Sequence, residues 1–292
     1  MSVYKFGVFG FPVSHSLSPA MHTAAFSALG TDNCEYKAYA VEPDNLKEEV
    51  LKAQADGFCG LNLTIPLKEK IFETGLIIPD DFAQKAGAVN TLKFQGDKIY
   101  GYNTDAAGAL AALEYEGCET SGKKILIIGA GGASKSISLL FGERGNELKI
   151  INRTDEKAAR LAAEIIEKTG NRNISGGGFE SAREDLKAAD IIIQTTELGM
   201  GKYEGVSLFD ELSISSSEIR EIMNEKQTVF DIVYNPSETK FLEEAKTAGA
   251  KTINGMMMLV FQGALAFEIW MGKKPDEKVM KDAVLNALAG KE

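Results

Sequence analysis

Cysteine is scarce in this 292-residue chain, and the three present, Cys34, Cys59 and Cys118, are scattered, with no C-x-x-C pair and no histidine pair nearby. That excludes a disulfide framework or a thiolate metal centre and fits reduced, mostly buried thiols; no metal site is expected. No run approaches the roughly eighteen consecutive apolar residues of a membrane span, and the opening residues, Met1 to Lys5, lack a basic region followed by a long apolar stretch. The cytoplasm is therefore the default compartment, with no membrane partner. Positive charge is in deficit too: 32 Lys and Arg against 42 Asp and Glu leave a net charge of −10. Nucleic-acid binding normally needs a basic face, so that partner is not expected, although a few local cations can still serve an anionic small molecule. Repeats and low-complexity tracts are absent. The two histidines, His15 and His22, are expected to be loop or helix hydrogen-bonders rather than catalysts. What remains, 44% hydrophobic and 25% charged, is the composition of a globular protein long enough for two domains.

The first third reads as alternating strands and helices. Tyr4 to Phe9 suits a strand, Gly10-Phe11-Pro12 a turn, and Pro19 the first position of a helix that Ser18 would cap and Gly30 would end. A strand near Glu35 to Ala40, a helix from about Pro43 to Ala55 and an alternating strand Gly60 to Ile65 follow. This order predicts a mostly parallel sheet. A second series opens at Lys123 to Ile128, whose nearly continuous apolar run suits a strand buried on both faces. It repeats at Leu148 to Asn152, Asp190 to Thr195 and Thr228 to Val233, with Gly170 to Gly178 and part of Gly199 to Ser217 read as polar loop. The residues from Asn254 onward are helical in pattern and are expected to return to the first domain.

Gly129-Ala130-Gly131-Gly132-Ala133 follows a strand and precedes a helix, the setting that makes a glycine motif informative. One glycine permits the tight turn and another lets backbone approach a pyrophosphate held at the helix N-terminus. The sixth position of the motif is Ser134, not glycine. The next strand ends in Asn152-Arg153-Thr154, where an NAD site usually has an acidic residue. Arg153, seconded by Lys157, suits a 2′-phosphate and favours NADP; Asp155, close by, leaves NAD as the weaker alternative. The plain alternatives are a ligand-free glycine turn and ordinary solvated charges.

A different set of residues gathers small polar groups around one lysine. On the strand Gly60 to Ile65, alternation sends Leu61, Leu63 and Ile65 to one face and Asn62 and Thr64 to the other, with Lys68 just beyond Pro66. Ser16 and Ser18 share the same two-residue spacing, and Gly255, Met258 and Gln262 fall on one helix face. A glutamine amid Met, Leu, Val and Phe needs a polar partner. Small hydrogen-bonders, a lysine and an aspartate, Asp105, beside a nucleotide site suit hydride transfer to the carbonyl of a small polyhydroxylated acid. Singly, Asp105 and Ser18 could be helix caps and Lys68 a surface lysine.

In their order the motifs resemble one family, the shikimate dehydrogenases. The match includes Gly10-Phe11-Pro12 and His15 to His22, Asn62 to Glu69, Gly87 to Thr91, Gly101 to Asp105, the glycine loop, Asn152-Arg153-Thr154, Asp231 to Pro236 and Gly255 to Gln262. It implies an α/β fold of two domains, an N-terminal, mostly parallel α/β substrate domain and a Rossmann-like dinucleotide-binding domain, with C-terminal helices returning to the first. The boundaries expected are 1–104 with 254–292, and 105–253. It implies a substrate pocket of Ser16, Ser18, Asn62, Thr64, Lys68, Asn90, Asp105, Tyr234 and Gln262, with Lys68 and Asp105 catalytic. It implies a cofactor site of Gly129, Ala130, Gly131, Gly132, Ala133, Asn152, Arg153, Thr154 and Lys157, with Asp81, Ile232, Gly255 and Met258 near the nicotinamide. The chain departs from the family in Gln194-Thr195-Thr196, where Asn-x-Thr is common, and in Gly255-Met256-Met257-Met258, where Gly-Leu-Gly-Met is usual.

The activity so implied is reversible, NADPH-dependent reduction of 3-dehydroshikimate to shikimate, a step toward chorismate and the aromatic amino acids. Lys68 would give the proton, since a lysine in water titrates near ~10.4 and is protonated at neutral pH. Asp105 would hold the ammonium and accept a substrate hydroxyl. The rival readings are a quinate/shikimate dehydrogenase of wider substrate use and a silent relative that senses a metabolite, which would be expected to lose Lys68 or Asp105. A homodimer is one assembly the sequence leaves open.

Overall fold

The computed structural model describes residues 3–31 and 33–290, so part of the opening segment and the last two residues lie outside the described residues. In chain order the first elements are β1 (Tyr4–Gly10), α1 (Ser18–Ala28), β2 (Cys34–Ala40), α2 (Leu46–Ala55), β3 (Phe58–Leu63), α3 (Leu67–Glu73), β4 (Ile77–Pro79), α4 (Asp81–Ala86), β5 (Thr91–Gln95), β6 (Lys98–Tyr102) and α5 (Asp105–Tyr115). Then come β7 (Lys124–Ile128), α6 (Gly132–Glu143), β8 (Glu147–Ile151), α7 (Asp155–Thr169), β9 (Ile174–Gly177), α8 (Ala182–Ala188) and β10 (Ile191–Gln194). The chain finishes with α9 (Leu208–Glu211), α10 (Ser216–Ile222), β11 (Thr228–Asp231), α11 (Lys240–Thr247), β12 (Lys251–Ile253), α12 (Met256–Met271) and α13 (Glu277–Ala289). It forms two compact units, residues 1–108 with 259–292, and residues 109–258.

In the first unit six strands lie in the order β2-β1-β3-β5-β6-β4. β1 pairs in parallel with β2 and β3, and β4 with β6, while β5 runs antiparallel to β3 and β6. Inward side chains Phe9, Leu61, Leu63, Leu92 and Ile99 pack with Leu46, Val50, Leu67 and Ile71 of the helices. Phe267 of α12 packs at a tilt against Phe26 of α1, and α13 lies against α1, so the C-terminal helices complete this unit. The β5–β6 hairpin, absent from the sequence reading, turns at Gly96-Asp97, a dipeptide suited to a tight reversal.

The second unit is an all-parallel sheet in the order β12-β11-β10-β7-β8-β9. The strand order reverses at β7, leaving a crevice at the carboxyl ends of β7 and β10 where this architecture binds dinucleotides. Ile125 to Ile128 are fully buried, as a strand covered on both faces must be.

Four local expectations need correction. The strand expected to reach Ile65 ends at Leu63: Pro66 has no N–H, Phe11 N–H donates to Ile65 C=O, and Ile65 is exposed rather than facing the core. Ser18 is the first helical residue and not a cap; its own N–H is received by Ser16 Oγ at 3.3 Å. The glycine-rich stretch Gly170 to Gly178 is not all loop, because Ile174–Gly177 forms the edge strand β9, and a side chain at Gly176 would run into the backbone of α7 at Ala158. His22 is no hydrogen-bonder: it is fully buried and neither ring nitrogen has a hydrogen-bond partner.

Candidate active site

The strand ends of the first unit hold a buried polar cluster centred on Asn90. Its backbone is fixed on both sides, Asn90 N–H donating to Tyr102 C=O at 3.0 Å and Leu63 N–H to Asn90 C=O at 2.8 Å. The Thr104 N–H then donates to Asn90 Oδ1 at 2.8 Å, which forces the amide nitrogen the other way. That nitrogen reaches Asp105 Oδ1 at 2.9 Å, Thr104 Oγ1 at 2.9 Å and Gln262 Oε1 at 3.3 Å. The second Asp105 oxygen receives Lys68 Nζ at 2.7 Å. The side chains of Lys68 and Asp105 are 17% and 5% exposed, so the pair sits at the rim of a low-dielectric region where attraction is strong and one face of the ammonium stays open. Lys68 is placed by α3, whose first turn is tied back by Val89 N–H to Lys68 C=O at 2.8 Å. Gln262 completes its bonding through Nε2 to Leu259 C=O at 2.8 Å, and only glycine at 108 leaves room for it. The arrangement can deliver a proton from an ammonium while a carboxylate and two amides grip neighbouring hydroxyls.

In the second unit the nucleotide crevice is made mainly of backbone. Gly129 has φ +114°, a conformation that side chains resist, so that β7 can turn sharply into α6. A Cβ at Gly131 would meet nothing within 4 Å, so open space lies beside the N-terminus of α6, where free N–H groups favour an anion. Ser134, in place of the third glycine, buries its hydroxyl against Gly129 C=O at 2.7 Å and closes the turn from inside. A cleft of about 210 Å³ continues from Gly129 along Asn152 and Arg153 to Phe179, Glu197 and Tyr203. Gln194, fully buried, accepts from Thr196 N–H at 2.6 Å and donates to Leu198 C=O at 3.1 Å, so its side chain folds the loop after β10. At Gly255 a Cβ would collide with the Ile232 carbonyl, and Gly255 N–H donates to Val233 C=O at 2.9 Å. Asp231 is buried at the end of β11, accepting from Val233 N–H at 3.0 Å and Thr239 Oγ1 at 2.7 Å, and burial pushes its carboxyl up to about 7.

Family models match along most of the chain: the shikimate dehydrogenase substrate binding domain over residues 8–92, shikimate / quinate 5-dehydrogenase over 110–200, and the shikimate 5′-dehydrogenase C-terminal domain over 255–285. A shikimate dehydrogenase (NADP(+)) of Methanosarcina barkeri is 48% identical over 284 residues, 97% of this chain and 98% of that protein. The chain belongs to the shikimate dehydrogenase family. Two crystal structures of shikimate dehydrogenases resemble it. One, in complex with NADP+, has a TM-score of 0.89 at 42% identity, covering 98% of this chain and 96% of its own. The other, from Thermus thermophilus, in complex with NADP(H) and shikimate, has a TM-score of 0.83 at 35% identity, covering 98% of this chain and all of its own, 100%.

Of the residues the shikimate dehydrogenase motifs single out, Asn62, Lys68, Asn90, Asp105 and Gln262 share the polar cluster of the first unit. Thr64 is half-buried one residue beyond β3, and Ser16 and Ser18 adjoin the start of α1. Asp81 is the exposed first residue of α4, whose cap is Asp80. In the second unit Asn152 and Arg153 line the cleft with Gly129, while Thr154 and Lys157 are exposed at the start of α7. Ile232 and Tyr234 are half-buried in the loop after β11, and Met258 is buried. The sequence reading passed over Tyr36, Thr91 and Thr104, which bond within the first cluster. Thr91 and Thr104 lay within the matched motifs without being named as site residues, and Tyr36 carried the signal of an aromatic on an inward position of β2. Among the described residues no group of acidic, histidine and cysteine side chains could hold a metal ion, and no helix is long and apolar enough to cross a membrane.

Proposed function

We propose that this chain is an NADP-dependent oxidoreductase acting on a CH–OH group: it reduces 3-dehydroshikimate reversibly to shikimate, in the route to chorismate and the aromatic amino acids. One observation carries the reading, the Lys68–Asp105 pair at 2.7 Å held within the Asn90 and Gln262 network. Relatives that share nearly the whole chain are named shikimate dehydrogenase (NADP(+)). Lys68 hands a proton to the ketone oxygen in reduction, and Asp105 steadies the ammonium while accepting from an adjacent substrate hydroxyl. Ser16, Ser18, Asn62, Thr64, Asn90, Tyr234 and Gln262 complete the substrate contacts. The nucleotide crevice fits NADP: the glycine turn from Gly129 to Ala133 would take the pyrophosphate, Asn152 to Thr154 with Lys157 the adenosine 2′-phosphate, and Asp81, Ile232, Gly255 and Met258 the nicotinamide side. When bound, NADPH supplies the hydride. We assign the protein to the cytoplasm, and its net charge of −10 argues against nucleic acid as a partner; a homodimer is tested by its mass in solution.

The test is the absorbance of reduced nucleotide on mixing enzyme with NADP+ and shikimate, repeated with quinate and with NAD+. Fast turnover with shikimate and NADP+ is expected. Faster turnover with quinate would move the assignment to the quinate branch, and no turnover with either would remove it.

A further inference from the structure

Tyr36 is buried on β2 and has no part in the reaction described above, yet its hydroxyl sits at a junction of the substrate cluster. The direction of each hydrogen bond there follows from groups that cannot reverse. Asn62 Nδ2 donates to the Asn90 carbonyl at 3.2 Å and to Thr91 Oγ1 at 3.1 Å. A backbone carbonyl only accepts, so the Asn62 amide has one orientation and its Oδ1 faces Tyr36. The phenol proton goes to that oxygen at 2.7 Å. With its single proton committed, the phenol oxygen accepts from the other neighbour, Ser18. Burial pushes this phenol well above its ordinary range, so it remains a donor wherever the enzyme works.

The ring itself has little freedom. His22 lies stacked on it with centroids 4.5 Å apart and planes 14° from parallel, and Trp270 flanks it at 6.2 Å. His22 is fully buried and bonds to nothing through its nitrogens, so its contribution here is the flat face that fixes the Tyr36 ring. Trp270 is anchored in turn by Nε1–H to Leu92 C=O at 2.9 Å. An immobile ring with a hydroxyl clasped from both sides joins two segments far apart in sequence, the first residue of α1 and the end of β3.

We propose that Tyr36 is a positioning residue for the substrate: without touching it, the tyrosine holds the Ser18 hydroxyl and the Asn62 amide in the orientations that receive it. The proposal rests on the reading of Ser18 and Asn62 as substrate contacts. Steady-state kinetics of Tyr36→Phe, Ser18→Ala and the double variant test it. Tyr36→Phe strands the Asn62 oxygen and releases Ser18, so KM for shikimate should rise about 5- to 20-fold, in line with a buried polar group left unpaired. KM for NADP+ and the pH profile of kcat should stay as in the wild type. Ser18→Ala should cost clearly less in the Tyr36→Phe background than in the wild type, because the serine is then already misdirected. An unchanged KM for shikimate with only a lower Tm would make Tyr36 a packing residue and overturn the proposal, as would strictly additive effects. If Tyr36→Phe does not fold, Ser18→Ala combined with Asn62→Ala carries the same test, since the two are linked through Tyr36: non-additivity upholds the proposal and additivity overturns it. Wild-type turnover with an additive cycle sinks this inference alone, whereas absent wild-type turnover sinks the proposed reaction and this inference together.

Discussion

The two units face the same task, presenting hydrogen-bonding groups to a polar ligand, and they meet it with different materials. In the first unit the groups are side chains: Asn62, Asn90, Thr91, Thr104 and Asp105 are all buried, and each is held by the next. In the second they belong to the backbone, left open by the absence of a side chain at Gly131 and shaped by the close approaches that only glycine allows at Gly129 and Gly255, with Arg153 as the added cation at the cleft. A side-chain site fails when something is removed, because a buried partner is left unsatisfied. A backbone site fails when something is added, because a single methyl group fills the space the ligand or a neighbouring strand needs.

The largest effect expected from that contrast is at Lys68. Lys68→Met should lower kcat by at least ~10²-fold with little change in KM, the lower range for general acid–base assistance. It should also lower Tm, since Asp105 keeps Asn90 but loses its cation, and removing one partner of a largely buried pair costs about 3–5 kcal/mol. A variant that keeps its kcat would take the lysine out of the chemistry.

The second unit should respond to methyl addition in two distinguishable ways. Gly131→Ala points its methyl into open space, so Tm should hold while KM for NADP+ rises roughly tenfold or more as N–H contacts to the ligand are lost. Gly255→Ala has no such room: its methyl would strike the Ile232 carbonyl, so Tm should fall, by about 3 kcal/mol of stability at the upper range for overpacking. If both variants behaved alike, the crevice would not be the backbone-built site described here.

This difference in material also governs what could be read from the chain. Glycine followed by a helix after an apolar strand is a local pattern, so the turn at Gly129 and the strand β7 were legible, and the sixth position, Ser134, was visible as a substitution whose inward hydroxyl was not. The first unit's cluster joins residues 62, 68, 90, 105 and 262, and no periodicity brings those numbers together; the family's motif order named them, while Tyr36 stayed out of sight and Thr104, though inside a matched motif, was given no role. Alternation was followed two residues too far, to Ile65, because period-two logic has no term for the carbonyl that Phe11 takes up. The edge strand β9 was missed since Gly176 and Gly177 have low strand propensity, and the closeness of α7 that requires glycine at 176 is a tertiary contact no local pattern shows.

A smaller effect is expected at Arg153, whose exposed guanidinium lines the cleft. Arg153→Ala should weaken NADP+ by about tenfold, the loss of roughly one charge-assisted hydrogen bond, and leave NAD+ near its starting affinity. Equal losses for both nucleotides would give the arginine a structural role and bring this unit closer to the first in character.

The smallest effect sharpens the comparison through pH, because each unit buries a titratable group, His22 in the first and the hydrogen-bonded Asp231 in the second, and the two act in opposite directions. His22 has its ring lowered from 6.5 to about 3 by burial. Above about pH 6.5 neither folded nor unfolded chain protonates it and its stabilising contribution is complete; as pH falls from 6.5 toward 3 the unfolded chain takes up a proton that the fold refuses, and stability drops. Asp231 is raised from 3.8 to about 7, so below 3.8 both states hold its proton, and as pH climbs from 3.8 to 7 the unfolded chain releases a proton that the fold retains, again lowering stability. Between pH 3.8 and 6.5 the two slopes, one proton each, oppose one another, and their joint effect on Tm should be nearly flat. His22→Phe should uncover the Asp231 slope, with Tm falling as pH rises through this window, and Asp231→Asn should uncover the opposite slope. Melting curves between pH 4 and 7 for the two variants decide it: slopes of the same sign would show that one of these groups is paired or hydrated in a way its surroundings do not reveal.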